Sequence, residues 1–361
     1  MYSRVKDNNM MELALYQKAL RENPDLRYLF FELTDKCNLN CRHCGSRCSG
    51  RNNHILDYDI IVKTMGAVKE KYGTEGIMIC LTGGEPLLYP AIYDVINQAK
   101  NMGFVVGITT NGTLLDNMSA RQLAQAGLDT VAVSIDGIGV VHDEFRLAKG
   151  SFDRAIMGIH SLKKAGLEPQ VITVVHKNNF FQIDSLYEFL KKEGIYSWRL
   201  VNIDPIGRAF DDKKLLLEAE ELRKLFSFIR EKRFDKDNDL EVTYGCSHFV
   251  TLEFENEIRD YYFQCGAGTI VASIMANGNI GACLDIERRE ELSQGNVYTD
   301  DFVYVWENKF KGFRRDRTVN SSVCGKCKDR KICMGDSAHT WDYDLDEPRY
   351  CVANMIMGVQ E

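Results

Sequence analysis

The chain has 361 residues, 45% of them apolar and 27% charged, which suits about two folded domains and excludes global disorder. With 45 Lys and Arg against 52 Asp and Glu the net charge is −7, which argues against an extended nucleic-acid-binding face. No apolar run reaches the roughly 18 residues of a membrane span, and the charged stretch 1–24 has no signal-peptide core. Residues 12–22 read as a short amphipathic helix stopped before Pro24. A regular alternation then begins, with apolar strands at 28–33, 76–82, 104–110, 130–135, 169–176 and 197–203. Segments of helical spacing follow them at 56–72, 92–102, 119–127, 152–166, 183–194 and 215–233, one after each strand. Six strand–helix units imply parallel strands with crossover helices, either in an open doubly wound sheet or in a partial α/β barrel. The near-continuous apolar strands suggest helices on both faces. In either architecture the site sits at the C-terminal ends of the strands. Beyond a charged linker at 234–241 the helical period fades, and 269–284 reads as a β-hairpin turning at Asn277-Gly278. The expected organisation is a helical extension at 1–27, a core at 28–236 and a smaller cysteine-built domain at 237–361.

Twelve cysteines are too few for a disulfide scaffold at this length, and they are clustered, which favours metal or redox centres. Cys37-x3-Cys41-x2-Cys44 follows the first strand directly. Three thiolates on one short loop can hold three irons of a 4Fe–4S cube and leave the fourth open to a small molecule. The same spacing suits a zinc ion completed by Cys48 or His43. Cys324-x2-Cys327-x5-Cys333, with Cys351, is open to the same two readings. Cys80 lies inside an apolar strand and reads as a buried thiol, and Cys48 as a neighbour of the loop that does not ligate. The seven histidines form no H-x-x-x-H pair with an acidic partner, so no separate mononuclear metal site is expected.

The loop Cys37–Cys44, with His43 before its third cysteine, resembles the radical SAM enzymes. Thr82-Gly83-Gly84-Glu85-Pro86 ends the second strand, Ser134-Ile135-Asp136-Gly137 the fourth, and His142-Asp143-x-x-Arg146 follows. Glycines permit close backbone approach, and a carboxylate can accept from an ammonium group. The resemblance implies a partial (β/α)6 TIM-like barrel and a 4Fe–4S cluster on Cys37, Cys41 and Cys44. It implies S-adenosylmethionine (SAM) on the open iron, cleaved reductively to a 5′-deoxyadenosyl radical that abstracts hydrogen from a substrate. It assigns Gly83, Gly84 and Glu85 to the methionine amino group, Ser134 to the ribose and Arg146 to the carboxylate, and places His43 among the cofactor-binding residues. Arg199 and the PIGR stretch 205–208 resemble the edge of the substrate pocket.

Cys265-x12-Gly278-x4-Cys283, then Cys324, Cys327, Cys333 and Cys351, resembles the small α+β SPASM extension of that family, which holds auxiliary 4Fe–4S clusters. The resemblance gives Cys324, Cys327, Cys333 and Cys351 to a distal cluster. The proximal cluster keeps Cys265 and Cys283 but meets Ser337 where the pattern has cysteine. Cys246 can supply the third thiolate; a serine alkoxide, water or loss of that cluster are the alternatives. One or two auxiliary clusters are therefore expected. The implied substrate is a peptide or protein side chain, with a separate peptide-recognition protein because only 27 residues precede the first strand. A small-molecule substrate is the alternative, and tetrapyrrole side chains are among those the family trims. A zinc-stabilised binding protein is the reading of another class. A one-electron donor such as flavodoxin or ferredoxin and an oxygen-free, cytoplasmic setting complete the expectation.

Overall fold

The computed structural model describes residues 10–245 and 247–358, so Cys246 lies outside the described residues. A first helix, α1 (Met10–Glu22), precedes the sheet. Strands β1 (Tyr28–Glu32), β2 (Met78–Thr82), β3 (Val105–Thr110), β4 (Thr130–Ser134), β5 (Pro169–Val175), β6 (Ser197–Asn202) and β7 (Glu241–Tyr244) lie side by side in chain order. Every neighbouring pair is parallel. The crossovers are α2 (Tyr58–Tyr72), α3 (Ile92–Met102), α4 (Asn117–Ala126), α5 (Val140–Arg146) with α6 (Ser151–Lys164), α7 (Ile183–Lys192) and α8 (Ala219–Phe234). Of the two architectures that periodicity left open, this is the partial barrel.

The helices form where apolar residues recur on one face. Ile92, Val95, Ile96 and Ala99 of α3, and Ile183, Leu186, Tyr187 and Leu190 of α7, are the buried residues of their helices, at the spacing of a core-facing stripe. Asp116 and Ser119 close a capping box on α4. Along β5, Val171, Thr173 and Val175 are buried while Gln170, Ile172 and Val174 are only partly so. The same alternation runs through β4 and β6. One face of the sheet is thus packed by helices and the other opens on the barrel interior, which corrects the expectation of helices on both faces.

The sheet also extends beyond the six expected strands. β7 directly follows the charged linker and is four residues long, too short for periodicity to reveal. The hairpin turns at Asn277-Gly278, with Gly278 at φ +87°. Its strand β8 (Val271–Ile274) docks parallel to β1, and β9 (Asn279–Gly281) and β10 (Gly295–Asn296) continue antiparallel. The result is one ten-stranded sheet, β10-β9-β8-β1-β2-β3-β4-β5-β6-β7, that crosses position 236/237 on both edges. Beyond it lie short helical turns and the ladder β11 (Trp341–Asp342) with β12 (Glu347–Pro348). Among the described residues no helix is long and apolar enough to cross a membrane.

Candidate active site

The loop after β1 gathers Cys37, Cys41, Leu39 and Cys48 in one buried group, with Cys44 packed against it. Burial pushes the Cys37 thiol up to about 12 and raises Cys41 as well. Thiols placed this way become thiolates only against a strong cation. Cys44 is drawn down to about 6, first by a hydrogen bond from the Cys48 thiol. Cys48 also reaches Glu32 Oε1 at 3.6 Å, so it braces the loop from behind.

The loop is clamped from across the barrel. Arg208 donates through Nε to the Cys41 carbonyl at 2.7 Å, and through Nη1 and Nη2 to the Cys48 carbonyl at 3.1 and 3.0 Å. Its own N–H donates to the Cys44 carbonyl at 3.1 Å. Arg42 and Arg47 add ion pairs to Asp212 and Asp211. Part of the PIGR stretch therefore holds the cysteine loop in shape. This pairing spans 160 residues or more, and no local spacing could have announced it.

Gly83 and Gly84 serve the same loop. A Cβ on Gly83 would lie 2.3 Å from the Thr34 carbonyl oxygen, and one on Gly84 2.2 Å from that of Lys36. Gly83 also has φ +141°. Their N-terminal neighbourhood is main chain against main chain, with Gly84 N–H on Thr34 O at 2.7 Å and Glu85 N–H on Lys36 O at 3.0 Å. Glu85 is fully buried, and its carboxylate accepts from Thr110 Oγ1 at 2.6 Å, Asn111 N at 2.9 Å and Leu87 N at 3.2 Å. Burial still raises its pKa, those three donors notwithstanding. It ties the end of β2 to the end of β3 directly beside the cysteines.

Arg146 lies under the loop. Its Nε and Nη2 both meet Asp136 Oδ2 at 2.7 Å, and Nη1 stands 3.8 Å from Cys41 Sγ. Burial opposes the Asp136 charge, but Arg146, the nearby imidazoles and the Val174 N–H bring its carboxyl down to about 2. His43 stacks on Phe145 at 4.4 Å, and Phe145 on His176 at 3.6 Å. Burial brings His43 down to about 3 and His142 and His176 to about 4, so all three are neutral near pH 7. His142 Nδ1 accepts from the Asp136 N–H at 3.0 Å. Ser134 sits half-buried at the end of β4, opposite Ile172.

In the C-terminal part, Cys324, Cys327, Cys333 and Cys351 line a single cavity with Phe249, Asp336 and Arg330. Burial raises Cys333 strongly and Cys351 to about 12, helped for Cys333 by Cys351 and Cys324 and for Cys351 by Cys324 and Cys327. Cys265 and Cys283 both bear on Tyr343, whose phenol is pushed up first by burial and then by the two thiols. The Ala338 N–H donates to Cys265 Sγ at 3.3 Å. Ser337 donates its hydroxyl to the Ser247 carbonyl.

Cluster and zinc make different demands on these sulfurs. Four thiolates about 2.3 Å from one tetrahedral zinc lie about 3.8 Å apart. Among the described residues the three-ligand groups whose donor atoms all fall within 4.8 Å reduce to Asp204, His248 and His339. Among the described residues no cysteine set is that tight, and three cysteines on one short loop suit three irons of a 4Fe–4S cube.

Comparison with known proteins gives the same result. The profile of the Radical SAM superfamily matches residues 31–190, and that of the SPASM iron–sulfur cluster-binding domain matches 265–328. The chain is 28% identical over 346 residues to AdoMet-dependent heme synthase of Methanosarcina barkeri, covering 90% of this chain and 96% of that one. It is 27% identical over 313 residues to mycofactocin maturase MftC of Mycolicibacterium smegmatis, covering 85% and 76%. Among solved structures, Streptococcus suis SuiB bound to precursor peptide SuiA superposes with a TM-score of 0.71 at 20% identity, over 92% of this chain and 79% of that one. The cysteine loop, the barrel that clamps it and the C-terminal thiol sets are those of one family: this chain is a radical SAM enzyme with a SPASM domain at its C-terminal end.

Proposed function

We propose that this enzyme abstracts a hydrogen atom from a carboxylate-bearing substrate held inside the barrel, and that the substrate is a tetrapyrrole precursor. The cluster on Cys37, Cys41 and Cys44, with SAM bound, supplies the 5′-deoxyadenosyl radical. His43, Gly83, Gly84, Glu85, Ser134 and Arg146 are the residues we assign to building the SAM site. From their geometry, Gly83, Gly84 and Glu85 act by shaping the loop as much as by direct contact.

The observation that carries the substrate reading is Arg199. It stands on the inner face of β6, in register with Ile172 of β5 and Thr243 of β7, and is partly buried. Its charge bears on the Cys80 thiol of β2, lowering what burial raises to about 12. Among the described residues it has no acidic partner. A half-buried guanidinium without a counter-charge is a receptor for one. A relative that this chain matches over nearly the full length of both is named a heme synthase, and the tetrapyrroles from which haem is made carry peripheral carboxylates. A peptide substrate is the second reading, favoured by the shared fold of a structure with precursor peptide bound.

The test is anaerobic incubation of reduced enzyme with SAM and either Fe-coproporphyrin III or peptides encoded beside the gene. Substrate-dependent 5′-deoxyadenosine and a mass loss on the porphyrin are expected. Arg199→Gln should raise KM for the porphyrin about tenfold or more, the order of a lost charge-assisted pair, with SAM binding unchanged. A mass shift on a peptide alone would transfer the reading to peptide modification. A flavodoxin or ferredoxin as electron donor, and a cytoplasmic setting, follow from the same oxygen-sensitive chemistry.

A further inference from the structure

At the C-terminal ends of β6 and β7 the barrel meets the SPASM domain through a buried polar group that the cluster chemistry does not use. Asp204 Oδ1 lies 2.7 Å from His248 Nε2, and Asp204 Oδ2 lies 2.8 Å from His339 Nε2. The other nitrogen of His248, Nδ1, is held by Asp336 Oδ2 at 2.7 Å. Asn202 Nδ2 donates to Asp204 Oδ1 at 2.8 Å, and the Phe249 N–H donates to Asp336 Oδ1 at 2.9 Å. His248 is wholly buried, and His339 is the most open of the three at 12% side-chain exposure.

We propose that Asp204, His248 and His339 form a binding site for one divalent first-row transition-metal ion, separate from the iron–sulfur clusters. Two imidazoles and one carboxylate are the donor set of a facial site with open positions. Their donor atoms already converge within 4.8 Å. Asp336 plays the outer part that ligating histidines usually require, since it fixes the tautomer and ring of His248 and leaves Nε2 to face inward.

Distances and charge agree. Ligands about 2.1 Å from a common ion and at right angles to each other lie about 3.0 Å apart. The 2.7 and 2.8 Å contacts run to the two different oxygens of Asp204, so a bidentate carboxylate meets both imidazoles. A chelating carboxylate takes up two positions, so six-coordinate ions suit this set better than tetrahedral ones. Neither Asp204 nor Asp336 has a Lys or Arg ion pair among the described residues. A dication in place of the protons shared with Asp204 balances the two carboxylates.

Sequence spacing gave no hint of this site, because its ligands are 44 and 135 residues from Asp204. The test uses full-length protein with its clusters assembled anaerobically, dialysed against Mn2+, with manganese, iron and acid-labile sulfide counted. One manganese per chain is expected in the wild type and none in His339→Gln or Asp204→Asn, with iron and sulfide unchanged. His160→Gln, an exposed histidine paired with Glu193, should keep it. All variants retain every cysteine, so manganese held by thiols would persist in all of them. No bound manganese in the wild type, or full retention in both site variants, overturns the proposal. Should both variants also lose iron, the wild-type Mn2+ paramagnetic resonance decides: absence of coupling to imidazole nitrogen overturns the site.

Discussion

Arg146 and Asp136 form a buried pair, with side-chain exposures of 7% and 0%. Removing one member of such a pair strands the other charge, at about 3–5 kcal/mol. Arg146→Ala should therefore lower unfolding stability by that order as well as weakening SAM binding; a urea titration with unchanged midpoint would return Arg146 to a purely ligand-binding role. The buried histidines set an acid limit. Free imidazoles take up protons below about 6.5, whereas His142 and His176 do so only near 4. Between those values the unfolded chain binds more protons, so stability falls as pH falls from about 6.5 to about 4. Asp136, lowered to about 2, extends the loss below 4 with the same sign. His142→Gln should flatten the upper window by up to about 1.4 kcal/mol per pH unit, measured by urea unfolding across it. The motif letters around Cys37, Glu85 and Arg146 were legible in the sequence. The partners of Glu85 and Arg146 were not, because Thr110 and Asp136 are chosen by strand register and not by spacing.

At the scale of elements, the six strands and their helices were readable because each is apolar at the period of its own geometry. β7 escaped because four residues carry no period, and the docking of β8 on β1 because register between distant strands leaves no local trace. The cysteine loop shows why an element with little regular structure still has one shape. Its carbonyls at Cys41, Cys44 and Cys48 all accept from Arg208. Arg208→Ala should leave the barrel folded, with circular dichroism unchanged, yet sharply reduce iron retained on anaerobic reconstitution and with it uncoupled 5′-deoxyadenosine formation. Full iron loading in that variant would show that the loop holds itself. Lysine at this position can meet only part of the demand, since a fork of N–H groups serves two carbonyls at once.

Across the whole molecule the thiol sets are separable. Cys327→Ala should remove one cluster's iron, about four atoms per chain, while the loop at Cys37–Cys44 still supports SAM cleavage; iron content equal to wild type would deny Cys327 its ligand role. Besides the β1–β8 ladder, one buried carboxylate joins the two halves of the molecule next to the cysteine loop. Glu32, the last residue of β1, accepts from Arg288 at 2.7 and 3.1 Å, from the Ala276 N–H at 3.1 Å and from the Cys48 thiol at 3.6 Å. A single carboxylate thus fastens the C-terminal half to the sulfur-bearing turn of the N-terminal half. Chimaeras that graft a foreign C-terminal segment onto this barrel therefore have to import an arginine equivalent to Arg288, or they leave an uncompensated anion beneath the very turn that must carry iron.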